Sequence, residues 1–420
     1  MHRTYAKYVL LSLLFITHCA FAQKSNQENA PYSRFGIGDL RNGSSTFLKG
    51  MGTISSAYTS AFNINSDNPA SYASLQLTTY EAGAEGNTRT ILAGSDKYQT
   101  GAATMSYMHI GFPVGKHAGM AIGMKPMSRV YYYLTDTTQI DSIGQAVKKY
   151  QGEGSLSQGY IGFAGKYKGI SLGLNFGYVF GNITSSSSFE AISDTQKVLS
   201  SRFYTNTKMG GIYWNVGALY EHDLTKKMSL RIGATFTASQ TLRANRDRYW
   251  ISYWNQADTA LKNVDARGKV QLPMNYSAGA VLLVNQKWTF GLNFNGSNWS
   301  SYSNYGLKDS LASSTYKLSA GAEYTPDASG NTRNYLSKVT YRIGGYYGTD
   351  PVMLRGTQLD YYALTAGLTL PFRKNVSRIH TSIEVGSRGT RSNGLIRENF
   401  VRFGVGLALN AKWFVKTRYD

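Results

Sequence analysis

The sequence predicts an all-β fold: a transmembrane, antiparallel, up-and-down β-barrel of about 14 strands, preceded by an N-terminal hatch. Apolar side chains alternate with glycine, serine, asparagine and charged residues in many segments. After the N-terminus, no segment has the roughly 18 consecutive apolar residues of a transmembrane helix. The joins between alternating segments fall into a short and a long class, which is the asymmetry of outer-membrane barrels.

The N-terminus has the pattern of a secretory signal peptide. Arg3 and Lys7 precede an apolar run over residues 8–16, and the segment ends in small residues up to Ala22. The run is too short to span a bilayer as a helix, so we expect it to be removed. We therefore predict residues 1–22 as a signal, cleaved after Ala22, and the outer membrane as the location.

The only cysteine, Cys19, lies within this signal. Lipidation at Cys19 is the alternative, but lipoprotein signals place a small residue just before the cysteine, and His18 stands there. Without Cys19 the mature chain has no thiol for a disulfide, a zinc site or a nucleophile. We predict no metal site and no cofactor.

The full chain has a formal net charge of +20. An exported protein does not meet nucleic acid as its ordinary partner, so the sequence predicts no nucleic-acid binding. The anionic partner it does meet is the phosphate of outer-membrane lipid and lipopolysaccharide.

Seven segments alternate most clearly. In the first of them Ile170, Leu172 and Leu174 point to one face, while Ser171 and Gly173 point to the other. The seven segments span residues 170–180, 228–237, 288–294, 316–324, 339–347, 379–385 and 401–409.

Several charged residues share the non-apolar face, which faces the lumen in a barrel. A last hairpin that turns near Asn393 places Glu384 opposite Arg402. A turn centred between residues 330 and 331 places Glu323 opposite Lys338. Each pair contributes about 1 kcal/mol or less if the lumen is wet. The other charged residues predicted to face the lumen are Arg231, Lys317 and Arg342.

The joins give the strand count. Six short joins alternate with seven long ones, so the barrel has 14 strands and both termini in the periplasm. The short joins lie at residues 115–118, 166–169, 223–227, 285–287, 326–334 and 372–375. The long joins lie near residues 87–101, 130–157, 182–210, 242–268, 299–313, 348–358 and 388–398.

The segment before the first strand does not alternate. We predict residues 23–74 as a hatch that plugs the lumen, 75–412 as the barrel with a first strand near 76–86, and 413–420 as a periplasmic tail. A disordered periplasmic leader is the alternative for the first of these segments.

Short motifs carry a family resemblance. Asn68-Pro69-Ala70 follows a segment of small residues and precedes about 14 strands. This arrangement resembles the FadL-like barrels, the long-chain fatty-acid transporter family. The closing stretches 394–400 and 413–416 are similar to a branch that includes the PorV-like barrels of type IX secretion.

The resemblance implies a hatch that contains Asn68, Pro69 and Ala70. It also implies hydrophobic solutes that bind outer loops and leave sideways through an opening in the wall. The predicted loops 130–157 and 182–210 differ from this pattern, because they are mostly serine, threonine, aspartate, lysine and tyrosine.

The histidines do not predict an enzyme. His117 and His222 lie at short joins and His380 lies beside one, which places them at the periplasmic end. His109 stands alone within a strand, and none of these residues belongs to a cluster with metal-ligand spacing.

Two functions fit these features. The first is a passive conduit for hydrophobic or amphipathic small molecules, which predicts an apolar pocket beside the hatch. The second is a non-catalytic subunit of an outer-membrane secretion or assembly complex, with outer-membrane proteins or lipoproteins as partners. Tyr249, Trp250, Tyr253 and Trp254 are the candidate contact residues, although the two tryptophans equally fit an aromatic girdle.

Overall fold

A computed structural model describes residues 28–41, 43–141, 144–192, 199–253, 257–327, 333–372 and 376–413, without the side chains at 253 and 257–261. The predicted signal peptide, its cleavage site, Cys19 and most of the predicted tail lie outside these residues. Within the described ranges, no helix has the length and apolar character needed to cross a bilayer.

The described residues are mostly β-structure. They contain one short helix, α1 (Thr46–Lys49), and 3-10 turns at Pro31–Arg34, Pro69–Ser74, Leu336–Lys338 and Ser392–Gly394. The strands are β1 (Asp39–Leu40), β2 (Thr78–Ala93), β3 (Asp96–Pro113), β4 (Ala118–Ile140), β5 (Gly144–Tyr167), β6 (Ile170–Ile192), β7 (Ser200–Thr225), β8 (Met228–Thr237), β9 (Thr241–Tyr253), β10 (Ala257–Gln271), β11 (Met274–Val284), β12 (Trp288–Asn298), β13 (Ser303–Asn304), β14 (Ser314–Tyr324), β15 (Thr340–Leu354), β16 (Thr357–Pro371), β17 (Arg378–Arg388) and β18 (Ile396–Ala411).

These strands form a closed antiparallel barrel that crosses the membrane 14 times, which confirms the predicted count. β8 with β9 forms one crossing and β10 with β11 forms the next, each with a short break in the middle. β18 pairs with β2 along its whole length and closes the barrel. Closure pairs the backbone groups that an open sheet edge would expose to hydrocarbon.

Alternation explains why these segments form a membrane wall. On β6, Leu172, Leu174 and Phe176 are exposed on the outer surface, whereas Ser171 and Asn175 are buried on the inner one. The outer set faces lipid and the inner set faces the lumen.

The predicted long joins are mostly strand rather than loop. Residues 130–157 and 182–210 lie largely in β4 to β7, whose strands have 23, 24, 23 and 26 residues. About 9–11 residues suffice to cross a bilayer, so these hairpins project well beyond it. Apolar and polar residues do not alternate there, because both faces of the hairpins meet polar surroundings. The backbone hydrogen bonding between the strands nevertheless continues.

Residues 43–77 fold into the periplasmic half of the lumen. Phe47, Met51 and Ile54 are fully buried and pack with Leu219 and Val281 of the wall. The fit requires wall positions without a side chain. A Cβ atom at Gly344 would lie only 2.6 Å from the backbone nitrogen of Gly52, so the hatch backbone lies directly against the wall.

Candidate functional site: the wall gap and the lumenal cavity

The barrel wall is open between β3 and β4 in its outer half. In the described part of the chain these two strands pair only between Met108↔Met124 and Pro113↔Gly119, although both strands continue outward. Pro126 follows the last pair, and a register irregularity lies between Pro126 and Ser128. Proline lacks the N–H group that a strand donates to its neighbour, so pairing with β3 ends where it occurs.

Residues 28–41, which we call the closing segment, occupy this gap. β1 adds as a short antiparallel strand to the free edge of β4. Further edge groups of β4 between Met127 and Tyr133 also find partners in the segment, which satisfies backbone groups that the gap would otherwise leave unpaired. The contacts are Asp39↔Arg129, Leu40↔Ser128, Arg41 N–H to the Met127 carbonyl (2.9 Å), Ala30 N–H to the Tyr131 carbonyl (2.8 Å), Tyr131 N–H to Ser33 Oγ (3.0 Å), and Tyr133 N–H to Asn29 Oδ1 (3.1 Å).

Buried ion pairs fasten the C-terminal part of the closing segment. The Asp39 carboxylate accepts hydrogen bonds from Arg89 Nη2 of β2 (3.0 Å) and Arg388 Nη1 of β17 (2.6 Å). Arg89 also binds Glu398 (3.0 Å), and Arg388 also binds Asp350 (2.9 Å). These ion pairs attach the segment to the part of the wall that lies across the gap from β4.

Glu28 fastens the beginning of the closing segment beside its end. Its carboxylate lies 2.9 Å from Arg41 Nη2 of the segment and 2.9 Å from Arg129 Nη1 of β4. The Glu28 side chain is almost fully buried, so these pairs are screened less than surface pairs.

The contribution of Asp39 to docking should not change with pH across the neutral range. Although burial by itself raises the pKa of Asp39, the guanidinium groups of Arg388 and Arg89 hold that pKa well below its usual range. A depressed folded pKa stabilises the docked state at every pH above the unfolded value of about 4, and this stabilisation is lost only as the pH falls through the folded value. Spin labels at positions 40 and 128 should report one distance at about pH 5 and at about pH 8. A change centred near about pH 6 would contradict this assignment.

A cavity of about 470 Å³ lies behind the closing segment. Thr104 and Met105 of β3 line it on one side of the gap, and Lys125 and Pro126 of β4 line it on the other. The cavity therefore reaches the opening in the wall, and the closing segment separates the two.

The lining of this cavity is mixed, because aliphatic and aromatic side chains such as Ile37 share it with polar and charged ones. The apolar pocket that the conduit hypothesis predicts is therefore present only in part. Acidic and basic side chains also line it, and some form ion pairs such as Lys49–Glu85 (2.6 Å) and Lys125–Asp67 (2.8 Å). The charged lining residues are Asp39, Asp67, Glu85, Asp350, Glu384, Arg41, Lys49, Arg89, Lys125, Lys317, Arg388 and Arg402.

The predicted hatch motif forms the floor of the lumen. Asn68 Oδ1 accepts a hydrogen bond from Ala70 N (3.0 Å) and caps the 3-10 turn Pro69–Ser74. Asn68 Nδ2 donates to the carbonyls of Ser56 and Ala218, which joins the hatch to β7. The motif is thus buried and fixed to the wall on its lumenal side.

The structure brings Glu384 and Arg402 together as directly opposed residues of β17 and β18, 2.5 Å apart. The predicted pair of Glu323 with Lys338 is wrong. Glu323 lies opposite Arg342 and binds it at 2.7 Å, because the join contains an extra 3-10 turn, Leu336–Lys338, that moves the register.

The other residues predicted to face the lumen carry charge on the inner face of the wall. Arg342 is buried, and Lys317 Nζ donates to Thr53 Oγ1 of the hatch (2.6 Å). Arg231 binds Glu221 at 2.7 Å near the short-turn end. Of these, only Lys317 contacts the cavity.

The predicted partner-contact loop is a hairpin of β9 and β10. Trp250 is 40% exposed and stacks on Phe203 of β7 with 4.8 Å between ring centroids. Tyr249 packs against Tyr204 at 6.1 Å. The side chain of Tyr253 and the whole of Trp254 lie outside the described residues.

The four described histidines do not lie together in one site. His117 and His222 are exposed near short turns, whereas His109 and His380 are fully buried. His109 Nδ1 lies 2.9 Å from the hydroxyl of Tyr160, and His380 lies between Thr369 and Asn63. Among the described residues, no group of three or more histidine, cysteine or acidic side chains is placed to hold a metal.

A closed 14-stranded barrel with an apolar outer face and an N-terminal segment folded into its lumen defines a transmembrane β-barrel of the outer-membrane type. The profile of the BamG family matches residues 4–420, so the chain belongs to the BamG family. No curated protein sequence matches it.

Solved structures share this fold. The Pseudomonas putida toluene transporter TodX aligns with a TM-score of 0.57 at 14% identity, covering 88% of this chain and 98% of TodX. The Ralstonia pickettii toluene transporter TbuX has a TM-score of 0.55 at 14% identity, covering 87% and 98%. A Pseudomonas aeruginosa FadL homologue has a TM-score of 0.54 at 13% identity, covering 90% and 99%. The predicted resemblance to FadL-like barrels is confirmed at the level of the fold.

Proposed function

We propose that this protein is a passive outer-membrane conduit for amphipathic solutes, with a lateral exit between β3 and β4 that the closing segment covers. The observation that carries the proposal is the wall gap, because the lumenal cavity is lined by both of its edges. Lateral exit suits a solute that partitions into the bilayer, since it avoids passage through the hatch.

The cavity supports an amphipathic solute over a pure hydrocarbon. Its lining carries charged side chains, and transferring an apolar molecule there displaces water without replacing the hydrogen bonds that it made. At the gap itself Met105 and Leu40 are about half exposed and offer apolar contacts. The toluene transporters share the fold, but the solute of this chain follows from its own cavity. We infer no catalytic step.

A disulfide across the gap tests the conduit. Leu40 and Ser128 are direct cross-strand partners, so Leu40→Cys with Ser128→Cys would fix the closing segment to β4. We expect the oxidised protein to lose at least about tenfold of its solute uptake into liposomes, an equivalent of about 1.4 kcal/mol, and the reduced protein to recover it.

The matched control links Ala322→Cys to Ile343→Cys, which lie opposite each other on the permanently paired strands β14 and β15. Oxidation of this control should leave uptake unchanged. Equal uptake by oxidised and reduced Leu40→Cys/Ser128→Cys protein would rule out this exit route.

We infer a second candidate function, a subunit of an outer-membrane secretion or assembly complex, from the projecting hairpins of β4 to β10. The stacked Phe203 and Trp250 near their tips offer an exposed aromatic surface. Exposed aromatic side chains are favoured anchors of protein contacts.

Pull-down from native membranes in a mild detergent tests this role. Phe203→Ala with Trp250→Ala should lose a partner that Trp288→Ala retains, because Trp288 is equally exposed but lies at the short-turn end. A barrel that returns alone at native expression, with or without the substitutions, would exclude the subunit role.

We also infer export with signal cleavage after Ala22. N-terminal sequencing of the protein isolated from outer membranes should find Gln23 as the first residue. A mature protein that begins at Cys19 would show lipidation instead.

A further inference from the structure

The outer surface of β7, β9 and β10 carries a compact group of cations. We call it the cationic patch, and it consists of Lys208, Arg243, Arg267 and Lys269, all exposed. The buried neighbours Met209, Leu242, Ala244 and Val270 alternate with them on the same strands, which places the four cations on the outward face.

The strand register sets the dimensions of the patch. Lys208 and Arg267 flank Asn245 in one cross-strand row, and Arg243 and Lys269 are neighbours in the next row. Adjacent strands lie about 4.8 Å apart and alternate residues of one strand about 6.7 Å apart, so the four positions cover roughly 10 Å by 7 Å. This is the size of a phosphorylated sugar headgroup.

The cations are not neutralised by the protein. None of the four lies within ion-pair distance of a carboxylate among the described residues. Two described acids are adjacent: Asp247, one row further outward, and Asp265, two residues before Arg267. The carboxylate of Asp247 accepts the backbone N–H of Asp265 at 2.9 Å, and neither acid forms an ion pair with a cation of the patch. Four like charges on a rigid ladder repel one another and are stabilised by a polyvalent anion.

The patch lies at the boundary of the membrane. Phe180, exposed to lipid on β6, belongs to the same cross-strand row as Arg243, through Gly210. Ile212 of β7, two residues from Gly210 toward the membrane centre, is also exposed to lipid. A strand crosses the hydrocarbon in about 9–11 residues, and counting outward from Tyr220 near the short turn reaches Gly210 at the far boundary. The short turns mark the periplasmic side, so this boundary is that of the outer leaflet.

We propose that the cationic patch binds the phosphate groups of an outer-leaflet glycolipid, with its acyl chains along Phe180 and Ile212. The position of the patch favours a lipid over a protein partner, because the patch borders lipid-facing side chains and does not lie on the projecting hairpin tips. The lysine and arginine side chains take the place of the divalent cations that otherwise bridge such phosphates, so binding should persist in a chelator.

The full mature chain in detergent, titrated with a bisphosphorylated lipid A and with its dephosphorylated form, tests the proposal by native mass spectrometry. We expect the wild type to bind the bisphosphorylated lipid at least about tenfold more tightly, with or without EDTA. Lys208→Gln, Arg243→Gln, Arg267→Gln and Lys269→Gln together should abolish this preference. The matched control replaces four exposed cations of the short turns, Lys116, Lys168, Lys226 and Lys227, with glutamine and should bind as the wild type does.

Each other outcome counts against the proposal. Unchanged binding by the patch variant overturns it, provided that heat-modifiable mobility shows a folded barrel. Equal binding of phosphatidylglycerol, or full competition by millimolar inorganic phosphate, would show a general anion surface. Loss of a co-purified protein from the patch variant without loss of glycolipid would show a protein-docking surface.

Discussion

Replacing Arg388 with glutamine is expected to lower the free energy of unfolding by about 3–5 kcal/mol and to release the closing segment. Arg388 lies 2.6 Å from Asp39, 2.9 Å from Asp350 and 3.6 Å from Glu398. Its loss leaves three buried carboxylates around one remaining guanidinium, that of Arg89. Unpaired buried charge costs more than the lost pair itself, so the effect should exceed that of removing any one carboxylate.

Asp39→Asn provides the matched comparison. It leaves two carboxylates and two guanidinium groups in the cluster, so we expect a smaller loss of about 1–3 kcal/mol. The double variant Arg388→Gln/Asp39→Asn should be more stable than Arg388→Gln alone, because it removes one unpaired carboxylate. Urea unfolding measures the free energy of unfolding of all three variants, and protease cleavage within residues 28–41 reports release of the segment. A double variant that is less stable than Arg388→Gln would show that side-chain packing, not charge, holds this cluster.

Local sequence patterns predict the barrel wall well, because the residues of each strand themselves determine which side faces lipid and which faces the lumen. β6 alternates apolar and small residues over its whole membrane part, and the joins between such segments give the strand count. The Glu384–Arg402 pair was also within reach, since the hairpin turns symmetrically about Asn393, whose φ of 56° marks the tight bend. Glu323–Lys338 was not, because a turn of irregular length shifts the register without a residue pattern to show it.

The position of the closing segment could not be predicted from local sequence patterns, for a physical reason. Asp39 meets Arg388 across 349 positions of sequence, and no periodicity encodes a contact of that range. The one local signal was Pro126, a residue that cannot donate to a neighbouring strand and yet stands inside a long strand pattern. Pro126 therefore indicates where the wall opens, but it does not indicate which segment covers the opening.

Replacing Gly119 with alanine is expected to displace the hatch while leaving the barrel closed. A Cβ atom at Gly119 would lie 1.9 Å from the carbonyl oxygen of Tyr72, and a backbone atom cannot move aside as a flexible side chain can. Tyr72 is fully buried and its hydroxyl donates to Asn175 Oδ1 at 2.9 Å, so the hatch is held in place on both sides of the clash. We expect a destabilisation of about 3 kcal/mol, near the upper end of typical overpacking effects.

The neighbouring strand supplies the control. Gly165 of β5 pairs with Ala118, next to Gly119, and a Cβ atom there would meet nothing within 4 Å. Gly165→Ala should therefore leave protease protection of residues 43–77 unchanged, whereas Gly119→Ala should expose them and raise single-channel conductance in planar bilayers. Both variants should retain heat-modifiable mobility, since the lipid-facing side chains and the strand ladder are untouched. Full hatch protection in Gly119→Ala would mean that the hatch can shift within the lumen, and the wall glycines would then not determine where it docks.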